Sequence, residues 1–104
     1  MKRLSISITR SAEEDLTQIE RWWVREASSA IADRVLGGIE EKITRLADTA
    51  PLGASRPEYG QDVRFVRAKP YVIYYRIAEN RVIVLRILHQ ARDRDAIMGG
   101  SSRD

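Results

Sequence analysis

The sequence predicts an α+β fold of order β-α-α-β-β-β, in which an αα-hairpin packs on a mainly antiparallel four-stranded sheet. Three observations predict it. Apolar and polar residues alternate over residues 4–9, as in a half-buried strand. Two stretches with apolar residues at helical spacing follow, at residues 11–26 and 29–46. From residue 63 onward, three stretches rich in Val, Ile, Leu and Tyr are typical of strands.

The first strand and the first helix have clear local signals. Ser11 and Glu14 fit a capping box, in which each side chain bonds the backbone amide of the other. Glu13, Glu14 and Asp15 then lie in the first helical turn, where the helix dipole favours anions. The residues expected to face the core are Leu4, Ile6 and Ile8 of the strand and Ala12, Leu16, Ile19 and Trp23 of the helix.

The second helix is predicted to start near Ser28 or Ser29 and to end at Pro51. The very short link predicts an antiparallel helical hairpin, with Trp22 at the border of its core. The pair Gly37-Gly38 inside the helix costs about 1 kcal/mol per residue relative to Ala. We expect close approach of the first helix to offset that cost. The apolar stripe contains Ala32, Leu36, Ile39, Ile43 and Leu46.

The hairpin from Tyr71 to His89 decides which residues face the core. An odd-length loop at Ala78–Arg81, bulged around Asn80, keeps Arg86 off the face of Ile73. The inward residues would then be Tyr71, Ile73, Tyr75, Ile77, Ile83, Leu85 and Ile87. The other face would carry Val72, Tyr74, Arg76, Val82, Val84, Arg86 and Leu88. That face is too apolar for solvated surface and too basic for a core, so we interpret it as a surface for a partner.

Length and composition exclude several classes of protein. The chain has 104 residues, enough for one domain, which we assign to residues 1–98 with a disordered tail at 99–104. It has no cysteine and one histidine, so we expect no disulfide, no metal site and no cofactor. No apolar run is long enough to span a membrane, and the N-terminus is no signal peptide. We therefore expect a cytoplasmic protein.

The net charge of +3 hides an uneven distribution. Residues 63–95 hold eight Lys or Arg against three Asp or Glu, whereas residues 1–62 hold nine against eleven. The positive field therefore lies on the sheet half, which favours an acidic partner or nucleic acid. A plainly solvated strand face is the alternative.

The sequence contains few groups of residues that are typical of catalytic sites. His89 is the one side chain whose unperturbed charge changes near neutral pH, and it lies among arginines in the sequence LHQARD. A general acid would suit that place, with the arginines stabilising a phosphate. The alternative is a histidine that hydrogen-bonds locally and closes the strand.

Three stretches carry a resemblance to a known family. They are Ser11–Ile19 (SAEEDLTQI), Tyr71–Arg76 (YVIYYR) and Val84–Asp93 (VLRILHQARD). In order and spacing the chain resembles the RelE/ParE superfamily of bacterial toxins from toxin–antitoxin pairs, and its ending is most similar to the ParE branch. The resemblance covers almost the whole chain.

The superfamily has two activities. RelE-like members cleave mRNA on the ribosome, and ParE-like members inhibit DNA gyrase. This chain departs from the RelE pattern, since Val72 stands where a catalytic arginine is placed and Ala96–Met98 replace a C-terminal tyrosine. Arg56 and Gln61 do not replace its lysine cluster. Four residues could supply part of a nuclease site, namely Arg64, Arg86, His89 and Arg92.

The resemblance therefore implies a ParE-like toxin that inhibits DNA gyrase and is neutralised by a ParD-like antitoxin. A RelE-like ribosome-dependent mRNA endoribonuclease is the alternative. A nucleic-acid-binding module is less favoured, because only Tyr74 would be left as a stacking platform. We expect no membrane association. The residues expected to contact the antitoxin or the target are Val72, Tyr74, Arg76, Val84, Arg86, Leu88 and Arg92.

Overall fold

A helical hairpin lies against one face of a mixed sheet. The computed structural model describes residues 3–52, 54–56, 60 and 62–91. The described elements are β1 (Ser5–Ile8), α1 (Arg10–Glu26), α2 (Ser29–Thr49), a 3₁₀ turn (Ala50–Leu52), β2 (Ala54–Ser55), β3 (Arg64–Ala68), β4 (Tyr71–Ala78) and β5 (Arg81–His89). The predicted α+β class is confirmed. The tail expected at 99–104 lies outside the described residues.

The sheet has one more strand than predicted. Its order is β1-β5-β4-β3-β2, and the added strand is the two-residue β2, which pairs with β3. β1 runs parallel to β5, whereas the other neighbours are antiparallel. The last strand of the described chain therefore lies inside the sheet, between β1 and the central β4.

Both helices begin at a hydroxyl cap. Thr9 caps α1, and its side chain accepts a hydrogen bond from the Ala12 amide at 3.1 Å. The predicted capping box at Ser11 is wrong, because the helix starts at Arg10, before Ser11. Ser28 caps α2 in the same way, and α2 begins at Ser29, where its start was predicted.

The main core lies between the helices and the sheet. Trp23 packs against it and donates from Nε1 to the Tyr71 hydroxyl at 2.9 Å. The buried Tyr75 hydroxyl donates to the Ala50 carbonyl at 2.6 Å, at the end of α2. The main core contains Ala12, Ile19, Ile39, Ile43, Leu46, Ala50, Tyr71, Ile73, Tyr75, Val82, Val84 and Ile87.

The predicted register is wrong over the first half of β5. The turn has two residues, Glu79 and Asn80, both with positive φ (54° and 62°), which is the conformation of a tight two-residue hairpin turn. The extra residue lies instead within the strand. Tyr74 pairs with Arg86 and Tyr75 with Val84, so that Leu85 forms a bulge.

The bulge exchanges the faces of β5. Before it, Val82 and Val84 point into the main core and are 0% exposed, although we expected them on the other face. Leu85, expected in the main core, is half-buried and packs on the opposite side of the sheet. After the bulge the expected pattern returns, with Ile87 inward at 1% exposure.

The glycine pair in α2 does not have the predicted role. A Cβ atom at Gly37 or Gly38 would meet no heavy atom within 4 Å. Close approach of α1 therefore does not explain these residues. Both face outward from the hairpin.

We predict that Ile87→Ala and Leu85→Ala differ in cost. Removing the fully buried Ile87 side chain should lower the free energy of unfolding by about 2–5 kcal/mol. Leu85→Ala should cost less, since Leu85 is half-buried. Urea denaturation of both variants checks this, and an equal or larger loss at Leu85 would contradict the bulged register.

Candidate functional site: the outer face of the sheet

The sheet face opposite the helices carries a second apolar cluster. We call it the outer cluster, and it contains Val63, Phe65, Val72, Tyr74 and Leu88, with Leu85 packed against them. Each of the five is at most 8% exposed. The expectation of an open apolar face is therefore wrong for Val72, Tyr74 and Leu88, because side chains from the β3 region pack with them.

Arginines surround this cluster. The Arg56 guanidinium lies 4.5 Å from the centre of the Phe65 ring, and that of Arg67 lies 5.3 Å from it. Both distances are in the range of cation–π attraction. Arg76 is exposed on the same face of β4. What this face offers to a partner is therefore positive charge over a packed aromatic base.

The predicted contact residues fall into separate places. Val72, Tyr74 and Leu88 belong to the outer cluster, and Arg76 is exposed beside it. The placement of Val84 is wrong, because the bulge directs it into the main core. Arg86 is held by a helix residue, and Arg92 lies outside the described residues.

The β5 bulge is closed by two residues of the α1 region. Asp15 accepts two hydrogen bonds from the Arg86 guanidinium, at 2.8 and 3.0 Å, and a third from the Ile87 amide at 2.9 Å. The Thr9 hydroxyl donates to the Leu85 carbonyl at 3.0 Å. A bulge leaves backbone groups without ladder partners, and these contacts satisfy them.

The three candidate nuclease residues in the described part of the chain lie at separate positions on two strands, β3 and β5. Arg64 lies opposite Tyr75 and donates to the Pro51 carbonyl at 3.2 Å, on the helix side of the sheet. His89 is at the end of β5, where its Nδ1 accepts from the Ala91 amide at 3.1 Å and its ring meets that of Tyr71 edge-on. Arg86 lies three residues before it, in the ion pair with Asp15.

Sequence analysis missed the contributions of Thr9, Asp15 and Phe65. Asp15 was interpreted only as an anion in the first turn of α1. The sequence left the orientation of β3 open; the structure places Phe65 and Arg67 on the outer face and Val66 against the main core.

Among the described residues, no group of three or more His, Cys, Asp or Glu could hold a metal ion. In the same part of the chain, no helix has the length and apolar content needed to cross a membrane.

Three known proteins are similar to this chain. The Toxin RelE3 of Caulobacter vibrioides is 31% identical over 91 residues, covering 86% of this chain and 98% of the relative. A structure of the chromosomal ParDE toxin–antitoxin system from P. aeruginosa matches with a TM-score of 0.75 and 27% identity, over 84% of this chain and 96% of that one. The toxin–antitoxin complex RelBE2 of Mycobacterium tuberculosis shares the fold, with a TM-score of 0.63 and 22% identity over 84% of this chain and 98% of that one.

These likenesses and the fold define a toxin of the RelE/ParE superfamily. The chain belongs to the family described as the ParE toxin of type II toxin–antitoxin systems, parDE, whose model matches residues 6–94.

We predict that Asp15 stabilises the fold more than an exposed carboxylate does. Asp15→Ala leaves the Arg86 guanidinium and the Ile87 amide without this partner, and should lower the free energy of unfolding by about 1–3 kcal/mol. Asp48→Ala is the control, because its ion pair with Arg3 is more than half exposed and should contribute less than about 1 kcal/mol. Equal losses in chemical denaturation would show that the contacts of Asp15 with β5 stabilise the fold no more than an exposed ion pair does.

Proposed function

We propose that the chain inhibits DNA gyrase and that a ParD-like antitoxin neutralises it. The observation that carries the proposal is the ion pair between Asp15 and Arg86. The side chain of Asp15 is 11% exposed and that of Arg86 30%, and two hydrogen bonds join them. The charge of Arg86 is therefore balanced inside the fold, which makes it a structural residue.

Cleavage of RNA needs several groups at one phosphate. The 2′-hydroxyl must be activated, the developing charge stabilised and the leaving oxygen protonated. Arg64 and Arg86 lie on the two strands that flank β4, about 10 Å apart across the sheet by the spacing of strands. Arg64 donates a hydrogen bond to the Pro51 carbonyl and Arg86 donates to Asp15, so both guanidinium groups bond within the fold. This arrangement favours a toxin that acts by binding.

The match of the ParE family model over residues 6–94 supports the same conclusion. A ribosome-dependent mRNA endoribonuclease is the second candidate. It is favoured by the similarity to a relative named RelE3. The two candidates differ in target, and an assay of each target separates them.

We propose the outer face as the surface that meets the target. Its apolar residues are already packed, so exposed apolar area is not what a partner would cover there. The exposed guanidinium groups of Arg67 and Arg76 remain. Such groups bind acidic surfaces and speed the encounter with them.

We predict that the purified protein blocks supercoiling by gyrase and does not cut mRNA on translating ribosomes. Arg76→Glu should weaken the inhibition at least tenfold, because it reverses an exposed charge on the outer face. Arg21→Glu, an exposed position on α1, is the matched control and should inhibit like the wild type. Codon-dependent mRNA cleavage without any effect on gyrase would contradict the proposal and support the second candidate, a ribosome-dependent mRNA endoribonuclease.

We predict that the protein encoded beside this chain's gene is its antitoxin. Co-expression should restore growth, and the two proteins should elute as one complex in size-exclusion chromatography. An adjoining protein that neither restores growth nor co-elutes would contradict the proposed partnership. The gyrase assay, which uses the toxin alone, would be unaffected by that result.

A further inference from the structure

The Phe65 ring has two sets of neighbours on the outer face of the sheet. It belongs to the outer cluster, is 8% exposed and lies 6.3 Å from the ring of Tyr74, centre to centre. It also lies beneath two cations, because the guanidinium carbons of Arg56 and Arg67 are 4.5 and 5.3 Å from its centre. A leucine would also fill an apolar cluster, but only an aromatic ring attracts cations to its face.

The backbone places both arginines beside this ring. Arg67 follows Phe65 by two residues on β3, so the two side chains point to the same face of the sheet. Arg56 follows Ala54, the strand partner of Phe65, by two residues, and its amide donates to the Val63 carbonyl at 2.7 Å. The two arginines therefore come from neighbouring segments and reach the ring from opposite directions along β3.

Two positive charges are thereby held close together. Both guanidinium carbons lie within 5.3 Å of one ring centre, so the two groups are close neighbours. Like charges at such a separation repel one another, and an anion placed between them is attracted by both. Arg67 is exposed, and within the part of the chain that the structure describes it forms no salt bridge. The pair is therefore suited to an anionic group on a partner.

The surroundings favour a carboxylate on a protein surface as that anion. A guanidinium binds a carboxylate or a phosphate through two parallel hydrogen bonds. Single-stranded nucleic acids add the stacking of bases on aromatic rings, but Phe65 and Tyr74 are each only 8% exposed. Leu85, which packs against the outer cluster, is half-buried and offers apolar contact area. A protein surface can cover that area, whereas a phosphate backbone would leave it in water.

We propose that Phe65 is a positioning residue, whose ring holds Arg56 and Arg67 as a paired site for an acidic side chain of the target. The inference rests on the gyrase inhibition proposed above and adds the chemistry of the surface that the toxin recognises. The ring restricts both guanidinium groups, so less conformational freedom is lost when the carboxylate binds. Phe65 itself lies beneath the arginines, and its contribution to affinity passes through them.

Two substitutions separate positioning from packing. Phe65→Leu keeps an apolar side chain in the outer cluster and removes the ring, whereas Phe65→Tyr keeps the ring. In the supercoiling assay, Phe65→Leu should need about tenfold more protein for half-maximal inhibition, and Phe65→Tyr should inhibit like the wild type. Val66→Ala is the control for lost stability, because Val66 is the next residue along β3 and packs against the main core. It should lower the melting temperature and leave the inhibition unchanged.

Nuclear magnetic resonance tests the positioning without gyrase. The ring current of Phe65 should move the Nε proton signals of Arg56 and Arg67 upfield from their positions in an unfolded peptide. Phe65→Leu should abolish this displacement, whereas Phe65→Tyr and Val66→Ala should keep it. Arginine signals that stay unchanged in a folded Phe65→Leu protein would overturn the positioning role.

A combined variant tests whether the ring acts through the arginines. In a protein that carries both Arg56→Gln and Arg67→Gln, Phe65→Leu should cause no further loss of inhibition, because its effect requires these groups. An additive loss would overturn the proposal, and so would inhibition at the wild-type level by folded Phe65→Leu.

A binding measurement decides between the two kinds of anion. Arg67→Gln should weaken binding to gyrase in the absence of DNA. If it instead weakens binding to a labelled DNA duplex alone, the ligand is a phosphate and the proposal is overturned. If the wild type does not inhibit gyrase at all, the proposed function fails and the paired site loses its target. The arginine signals would still decide whether Phe65 positions the two guanidinium groups.

Discussion

The fold depends on a set of hydrogen bonds between the start of α1 and the bulge of β5, which we call the clamp. Thr9 and Asp15 together bond the carbonyl of Leu85, the amide of Ile87 and the guanidinium of Arg86. The Thr9 hydroxyl also caps α1, so one oxygen serves both the helix start and the bulge. The bulge directs Val84 and Ile87 into the same core, and the clamp fixes α1 above them. Hydrogen bonds to charged groups contribute more than those between neutral groups, so this is a substantial local stabilisation.

The sequence was sufficient for the two helices and for four of the five described strands, and insufficient for one register. Helical stripes such as Ile39 and Ile43 repeat over several turns, so a small error in the helix start leaves the buried face unchanged. A strand has a period of two, so one misplaced residue exchanges its faces. The odd residue of the hairpin was correctly inferred but was assigned to the loop. The tight turn at Glu79-Asn80 has no glycine to reveal it, and the bulge at Leu85 depends on partners in α1 that are distant in sequence.

The same error affected the candidate site. Which residues face a partner follows from the register, so Val84 was assigned to the wrong face while Val72, Tyr74 and Leu88 were assigned correctly. Their burial could not be predicted, since it needs Phe65, on a strand whose orientation the sequence left open. The site that results is electrostatic in character: arginines above packed rings. A surface of this kind attracts acidic partners at long range and owes its shape to the side chains beneath it.

The clamp joins residues that are very far apart in the chain. Thr9 and Leu85 are separated by 76 positions, and Asp15 and Arg86 by 71. The contacts within the helical hairpin between them are local in sequence. β1, in contrast, has β5 as its strand partner in the described sheet, so it can pair only after the final strand is available. Contacts of such high sequence separation slow folding, because the loop between them must be closed first. The first strand of this protein is therefore among the last elements to take its place.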